Sequence, residues 1–314
     1  MGSPIEPIDA ALARGEILLL DGATGSELET RGAVMHEKAW CATATLTDPD
    51  IVRSVHEDYI RAGARVVTTN TFSTNLNMLV PAGLEEEYER LNREAVRLAR
   101  EARERTGTED TVGVAGSMSH QIPRYHGRTD PTLQPSPEAA RRNFRDMAGR
   151  LAEAGVDLIL FEMMSDPDLA NTALESAREL GLPFWVGFSV RTLPSREIAP
   201  NARTDLTLSE MFEQIDLSGA GAAGIMHSKA HEVGPALDAL REVWSGPFMV
   251  YPDSGYFERP SWRFVDTLPV PEFVEYVEQW SGEGVQILGA CCGLGLDHFE
   301  ALARTLGISP AETD

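Results

Sequence analysis

Two adjacent cysteines set among glycines, in the run Gly289-Ala290-Cys291-Cys292-Gly293-Leu294-Gly295, carry the densest chemistry in this chain. Neighbouring cysteines do not easily close a relaxed disulfide with each other, but where a strand ends among glycines the backbone can turn both sulfurs toward one metal ion. Thiolates suit zinc among the common metals, and a catalytic zinc site keeps three protein ligands and one open position. A third donor is needed. Two candidates end or follow apolar runs: His227, and Cys41, which sits beside Trp40. His227 is the better one, since imidazole is an ordinary zinc ligand and its strand would end at the same mouth as the cysteine pair. Without a metal, Cys291 and Cys292 read as small buried residues at a tight turn.

Two acids stand where other apolar runs end, Asp21 and Glu162. Carboxylates there can hold a substrate ammonium group, or simply cap a loop or helix. Trp40, Trp185, Tyr256 and Trp262 can offer π faces to a cation, or pack in core and rim. The remaining histidines, His56 among them, fall on helix faces or loops with no partner pattern. No glycine-rich phosphate loop or GxSxG elbow is present.

These residues need a scaffold that brings many strand ends together. Eight short apolar runs recur, at 17–20, 65–69, 112–115, 158–161, 184–188, 221–225, 248–251 and 285–288. Between them lie amphipathic stretches whose starts are marked by Asp48-Pro49, Ser136-Pro137 and Asp166-Pro167, each a capping residue before a proline. Gly63, Gly155, Gly181 and Gly219 punctuate the returns to strand. Alternating strand and helix means parallel strands joined by crossovers. An open doubly wound sheet alternates too, but it gathers its ligands at one switch point, whereas here polar residues close nearly every run. The expectation is one (β/α)8 TIM barrel over residues 1–314. Long irregular stretches at 117–135, 191–205 and 252–269 then lie on the catalytic face as candidate lids.

Composition narrows the function. The 27 Lys and Arg against 49 Asp and Glu leave a net charge of −22, which argues against a nucleic-acid surface. No apolar stretch is long enough for a membrane helix and no basic-then-apolar leader opens the chain, so a cytoplasmic protein with no membrane partner is expected. A homo-oligomer is left open.

Taken in order, DGATGSELETRG from Asp21, TTNTFSTN from Thr68, Phe161-Glu162, YPDSG from Tyr251 and GACCG from Gly289 resemble the homocysteine S-methyltransferase family across nearly the whole chain. That resemblance implies a Zn2+ cofactor on cysteine ligands that activates a small-molecule thiol acceptor, homocysteine, for attack on a methyl donor, giving methionine. It implies that Cys291 and Cys292 are metal ligands and that Asp21 and Glu162 hold the acceptor's amino group, with Gly22 and Thr71 close by. Trp40 falls where the betaine-using branch lines its donor pocket. Ser73 and Met163 stand near the places of that branch's tyrosines, while YPDSG is more similar to the branch that uses S-methylmethionine or S-adenosylmethionine. The chain ends soon after the barrel, so the expected donor is a free small molecule or another protein rather than a group on an appended folate or cobalamin domain. One departure is specific: where the family has a third cysteine, Gly224-Ile225-Met226-His227 supplies histidine. With imidazole in place of a thiolate, the site loses one negative charge and the ion becomes a stronger Lewis acid.

Overall fold

The computed structural model describes residues 4–121, 124–125, 128–129 and 131–309. All eight expected strands are present: β1 (Leu18–Gly22), β2 (Val66–Thr68), β3 (Gly113–Ser119), β4 (Leu158–Glu162), β5 (Phe184–Phe188), β6 (Ala222–Lys229), β7 (Phe248–Asp253) and β8 (Val285–Ala290). They pair in parallel, in chain order, and β8 closes on β1. One helix of the outer ring follows each strand: α1 (Pro49–Arg61), α2 (Tyr88–Arg105), α3 (Pro137–Ala154), α4 (Pro167–Leu180), α5 (Leu208–Glu213), α6 (Ala230–Arg241), α7 (Val270–Gly282) and α8 (Leu296–Thr305). This is the (β/α)8 barrel. Among the described residues no helix is long and apolar enough to cross a membrane.

The helix starts follow from local chemistry. Ser136 and Asp166 accept backbone N–H bonds from the first turns of α3 and α4, as an N-cap should. Asp48 differs: its carboxylate accepts the Thr47 hydroxyl and caps nothing, although Pro49 still opens α1. Gly155 and Gly181 end α3 and α4 in the left-handed conformation.

Strand alternation sorts the apolar side chains into two cores. Leu19, Val67, Val114, Ile159, Val186, Ile225, Val250 and Leu288 face the helices. Leu20, Val66, Ala115, Leu160, Trp185, Met226, Met249 and Ile287 fill the barrel. Trp185 is therefore a core residue and no partner for a cation. The helix Ile5–Ala13 closes the barrel's base, where Ile8 and Leu12 join the interior core and the Leu12 carbonyl accepts from Gln286 at 2.7 Å.

His56, on α1, is fully enclosed, and neither ring nitrogen has a partner among the described residues. Burial pulls its pKa down from 6.5 to about 4. The unfolded chain therefore binds this proton below about pH 6.5 while the fold does not, so the group's contribution is full above that pH and is lost as pH falls toward 4. Replacing His56 with leucine should remove a pH-dependent loss of roughly 2–3 kcal/mol between pH 7 and pH 4.5. Urea unfolding of both proteins at the two pH values measures it, and parallel pH profiles would refute the assignment.

Candidate active site

At the C-terminal ends of the strands lies a cavity of about 1210 Å3. A line of three side chains sits on its floor. Glu162, ending β4, meets His227 Nε2 through Oε2 at 2.7 Å, and His227 Nδ1 stands 3.2 Å from Cys291 Sγ. The other Glu162 oxygen accepts the Ser117 hydroxyl. A carboxylate on Nε2 keeps the proton there and leaves Nδ1 bare toward the sulfur. Glu162 and Cys291 are both almost fully buried, and burial pushes the Cys291 thiol well above its ordinary pKa.

The backbone delivers these groups by different routes. On β4, Leu158, Leu160 and Glu162 all point inward by simple alternation. On β6 the same rule puts Met226 inside and would send His227 toward the helices. Instead His227 takes a left-handed backbone (φ 49°), and the β6–β7 register slips between Met226 and Lys229. That bulge turns the imidazole into the cavity. Gly187 makes the adjustment possible, since a Cβ there would lie 2.0 Å from the Met226 sulfur. Trp40 (φ 50°) and Met163 (φ 58°) also hold left-handed backbones and also line the cavity, the clustering of strain expected at a working site.

Past β8 the chain turns sharply. Cys291 N–H donates to the Pro252 carbonyl and Ser254 N–H to the Cys292 carbonyl, both at 2.8 Å. The cysteine turn is thus stitched to the segment after β7. That segment forms an antiparallel ribbon, Tyr256–Glu258 with Ser261–Arg263, whose Phe257 and Trp262 rings stand 5.4 and 6.5 Å from Trp40 at the mouth. Trp262 Nε1 donates back to the Ser254 carbonyl at 2.8 Å.

Of the residues singled out from sequence, Trp40, Glu162, His227, Cys291 and Cys292 all line the cavity. Asp21, Gly22 and Thr71 do not. Asp21 is fully buried behind the wall and accepts both the Thr68 N–H (2.7 Å) and the Thr68 hydroxyl (2.9 Å). Burial raises its pKa well above the usual carboxylate range, against those two bonds. The Gly22 carbonyl accepts the Tyr251 hydroxyl at 2.7 Å, and Thr71 donates to the Ser117 carbonyl at 2.7 Å. Cys41 lines the cavity but is held by Asn70, its thiol donating to Oδ1 at 3.2 Å. Each of the three stretches expected as lids carries a short antiparallel ribbon: Arg124–Tyr125 with Arg128–Thr129, Val190–Thr192 with Ile198–Pro200, and the ribbon after β7. The first stretch begins inside β3, and its residues 122–123, 126–127 and 130 lie outside the described residues.

Sequence reasoning passed over Lys229 and Phe257. Lys229 bonds Asp253 at 2.5 Å and lies 6.0 Å from the Trp262 ring, tying β6 to the ribbon after β7. The available signal was its position two residues beyond His227 at the same strand end. Phe257 lies in an irregular stretch that offers no periodicity.

A metal ion on this floor is tested by the donors themselves. Two donors about 2.0 and 2.3 Å from a tetrahedral zinc stand about 3.5 Å apart. The Cys291–His227 separation of 3.2 Å needs only a small opening to reach that. Glu162 behind the imidazole supplies the carboxylate–histidine support usual for a metal ligand, so the chemistry of the donor set fits. The third contact is not preassembled: among the described residues no group of three or more His, Cys, Asp or Glu side chains is arranged to hold an ion.

Paired thiols, an imidazole and a buried carboxylate lining one cavity at the C-terminal face of a (β/α)8 barrel make up an enzyme-like site. The profile of the homocysteine S-methyltransferase family matches residues 18–306, and the chain belongs to that family of methyltransferases. It is 28% identical to homocysteine S-methyltransferase 2 of Zea mays, over 96% of this chain and 93% of that one. It is 27% identical to selenocysteine Se-methyltransferase of Brassica oleracea var. italica, over 93% and 89%. The crystal structure of the metallated homocysteine methyltransferase MmuM from Escherichia coli superposes with a TM-score of 0.74 at 27% identity, covering 95% of this chain and 99% of that one.

Proposed function

We propose that this enzyme transfers a methyl group from a small sulfonium, S-methylmethionine or S-adenosylmethionine, to the thiol of homocysteine, giving methionine. The observation that carries the reading is the Cys291–His227–Glu162 line at 3.2 and 2.7 Å on the cavity floor. Cys291, Cys292 and His227 would hold a zinc ion, whose positive charge keeps a bound thiol deprotonated at neutral pH. Glu162 retains the Nε2 proton of His227 and, lining the cavity, faces the acceptor's ammonium group. Asp21 acts one layer behind, fixing Thr68 and so the wall on which the acceptor rests. Trp40, Phe257 and Trp262 narrow the mouth and keep water from the reacting sulfurs. The methyl carbon passes between two sulfurs on opposite sides of it, and the donor leaves as a neutral thioether.

Purified enzyme should contain about one zinc per chain. With homocysteine and either sulfonium it should form methionine, read by mass spectrometry of the products. Zinc-loaded protein that makes no methionine from either donor would overturn the reading. The Brassica relative favours running selenocysteine as a parallel acceptor, because a selenol ionises more readily than a thiol and makes the same demands on the site.

A further inference from the structure

The charges around the cavity are almost all spent inside the protein. Glu162 is taken by Ser117 and His227, Asp253 by Lys229, Glu258 by Arg263, and Glu232 by Thr192 and the Lys229 N–H. Lys38 donates to the Pro81 carbonyl. Arg191 is different: it lines the same cavity, and its guanidinium has neither an ion pair nor a hydrogen bond among the described residues. Among the described residues, the one unpartnered carboxylate on this wall is Glu37.

Arg191 is also held on a fixed mount. It is the middle residue of the strand Val190–Thr192, paired with Ile198–Pro200. Val190 N–H donates to the Ser228 hydroxyl at 2.9 Å, and Thr192 N–H donates to Glu232 at 2.6 Å. Both anchors lie just past His227, so the ribbon's position is set by the element that carries the imidazole. A guanidinium on a fixed backbone, facing a cavity and lacking an internal acceptor, matches a planar anion such as a carboxylate.

Depth decides which substrate brings that anion. Glu162 and Cys291 are buried at the floor, whereas Arg191 is exposed at the rim. Displacement at carbon needs the attacking sulfur, the methyl carbon and the leaving sulfur nearly in line. With the acceptor on the floor, the leaving sulfur and the rest of the donor extend toward the rim.

Resting on the methyl transfer proposed above, we infer that Arg191 binds the α-carboxylate of an amino-acid sulfonium donor and selects it over sulfonium compounds without a carboxylate. In the step itself the acceptor thiolate, its proton already lost to solvent, forms a bond to the methyl carbon. The carbon–sulfonium bond breaks, and its electron pair stays on the departing thioether. Arg191 neither gains nor loses a proton; it positions the donor.

The test compares S-methyl-L-methionine with dimethyl(3-aminopropyl)sulfonium, the same cation without the carboxylate, in calorimetric binding and in turnover with homocysteine. Wild type should bind S-methyl-L-methionine about tenfold more tightly than the analogue. Arg191→Ala should bind the two alike, with the donor KM raised about tenfold and the homocysteine KM unchanged, and Arg191→Lys should fall between. Arg196→Ala, on the same ribbon but off the cavity, controls for net charge and should behave as wild type. A donor preference that survives Arg191→Ala, or a rise in the homocysteine KM alone, overturns the assignment while leaving methyl transfer standing. Wild type that forms no methionine sinks the reading beneath it first.

Discussion

Replacing His227 with alanine is expected to lower kcat/KM for homocysteine by at least about a hundredfold and to strip zinc from the purified protein. The imidazole bridges the carboxylate of Glu162 and the sulfur of Cys291, so its loss severs both contacts at once. It also leaves a buried carboxylate facing an empty space, which costs stability as well as activity. Two companions separate these effects. Glu162→Gln keeps the imidazole but changes what holds Nε2, and a loss of about ten- to a hundredfold is expected. His227→Cys puts a third sulfur at this strand end and should retain the metal. Contributions of residues that work as one unit do not add, so His227→Ala combined with Glu162→Gln should be little worse than His227→Ala alone. Metal analysis of each purified protein, beside its steady-state kinetics, checks the series. Full zinc content and full activity in His227→Ala would remove this histidine from the site.

Gly293→Ala should be a strongly damaging small substitution near the site. Gly293 has φ 80°, where a side chain is strained, and an added Cβ would lie 1.9 Å from the Ser254 carbonyl oxygen. Nothing flexible can yield, because that oxygen belongs to backbone already bonded to Trp262. A cost of about 3 kcal/mol or more follows from the clash together with the backbone strain. For a chain of this size that lowers Tm by roughly 5–10 °C. Activity should fall further than stability, since the shift is delivered to the peptide that carries Cys292. Gly282→Ala provides the contrast: it closes α7 with nothing within 4 Å of its Cβ, and it should be neutral or slightly stabilising. Thermal unfolding of the two variants beside wild type measures the difference, and equal melting points would refute the packing argument.

The barrel was legible because its signals are local and repeated. Proline after a capping residue, glycine at helix ends and eight apolar runs each constrain a few residues and together give alternating strand and helix, and the polar residues closing nearly every run then favour a closed barrel over an open sheet. Glu162 and Cys291 were legible for the same reason, since both sit where strand alternation and strand ends put them. His227 was legible only as a strand-end histidine; the left-handed turn that brings it inward is a product of register slip against β7, which no single-strand pattern encodes. Asp21 shows the converse. Its position offered either a substrate contact or a structural cap, and the Thr68 backbone and hydroxyl, 47 residues away, claim both oxygens. Long-range pairing of this kind also hid the use of Asn70 to hold Cys41 and of Lys229 to tie the ribbon after β7. For Trp185 the sequence left cation partner and core residue open, and its inward place on β5 puts it in the barrel core.

The helix that closes the base of the barrel has a consequence for traffic. With Ile8 and Leu12 packed beneath Leu20, Leu160, Trp185 and Met226, the barrel interior is filled from below, and Cys291 is approached from the cavity at the strand C-termini. An acceptor seated beside Cys291 would lie beneath a donor held at the rim, so product-inhibition kinetics should show the acceptor binding first.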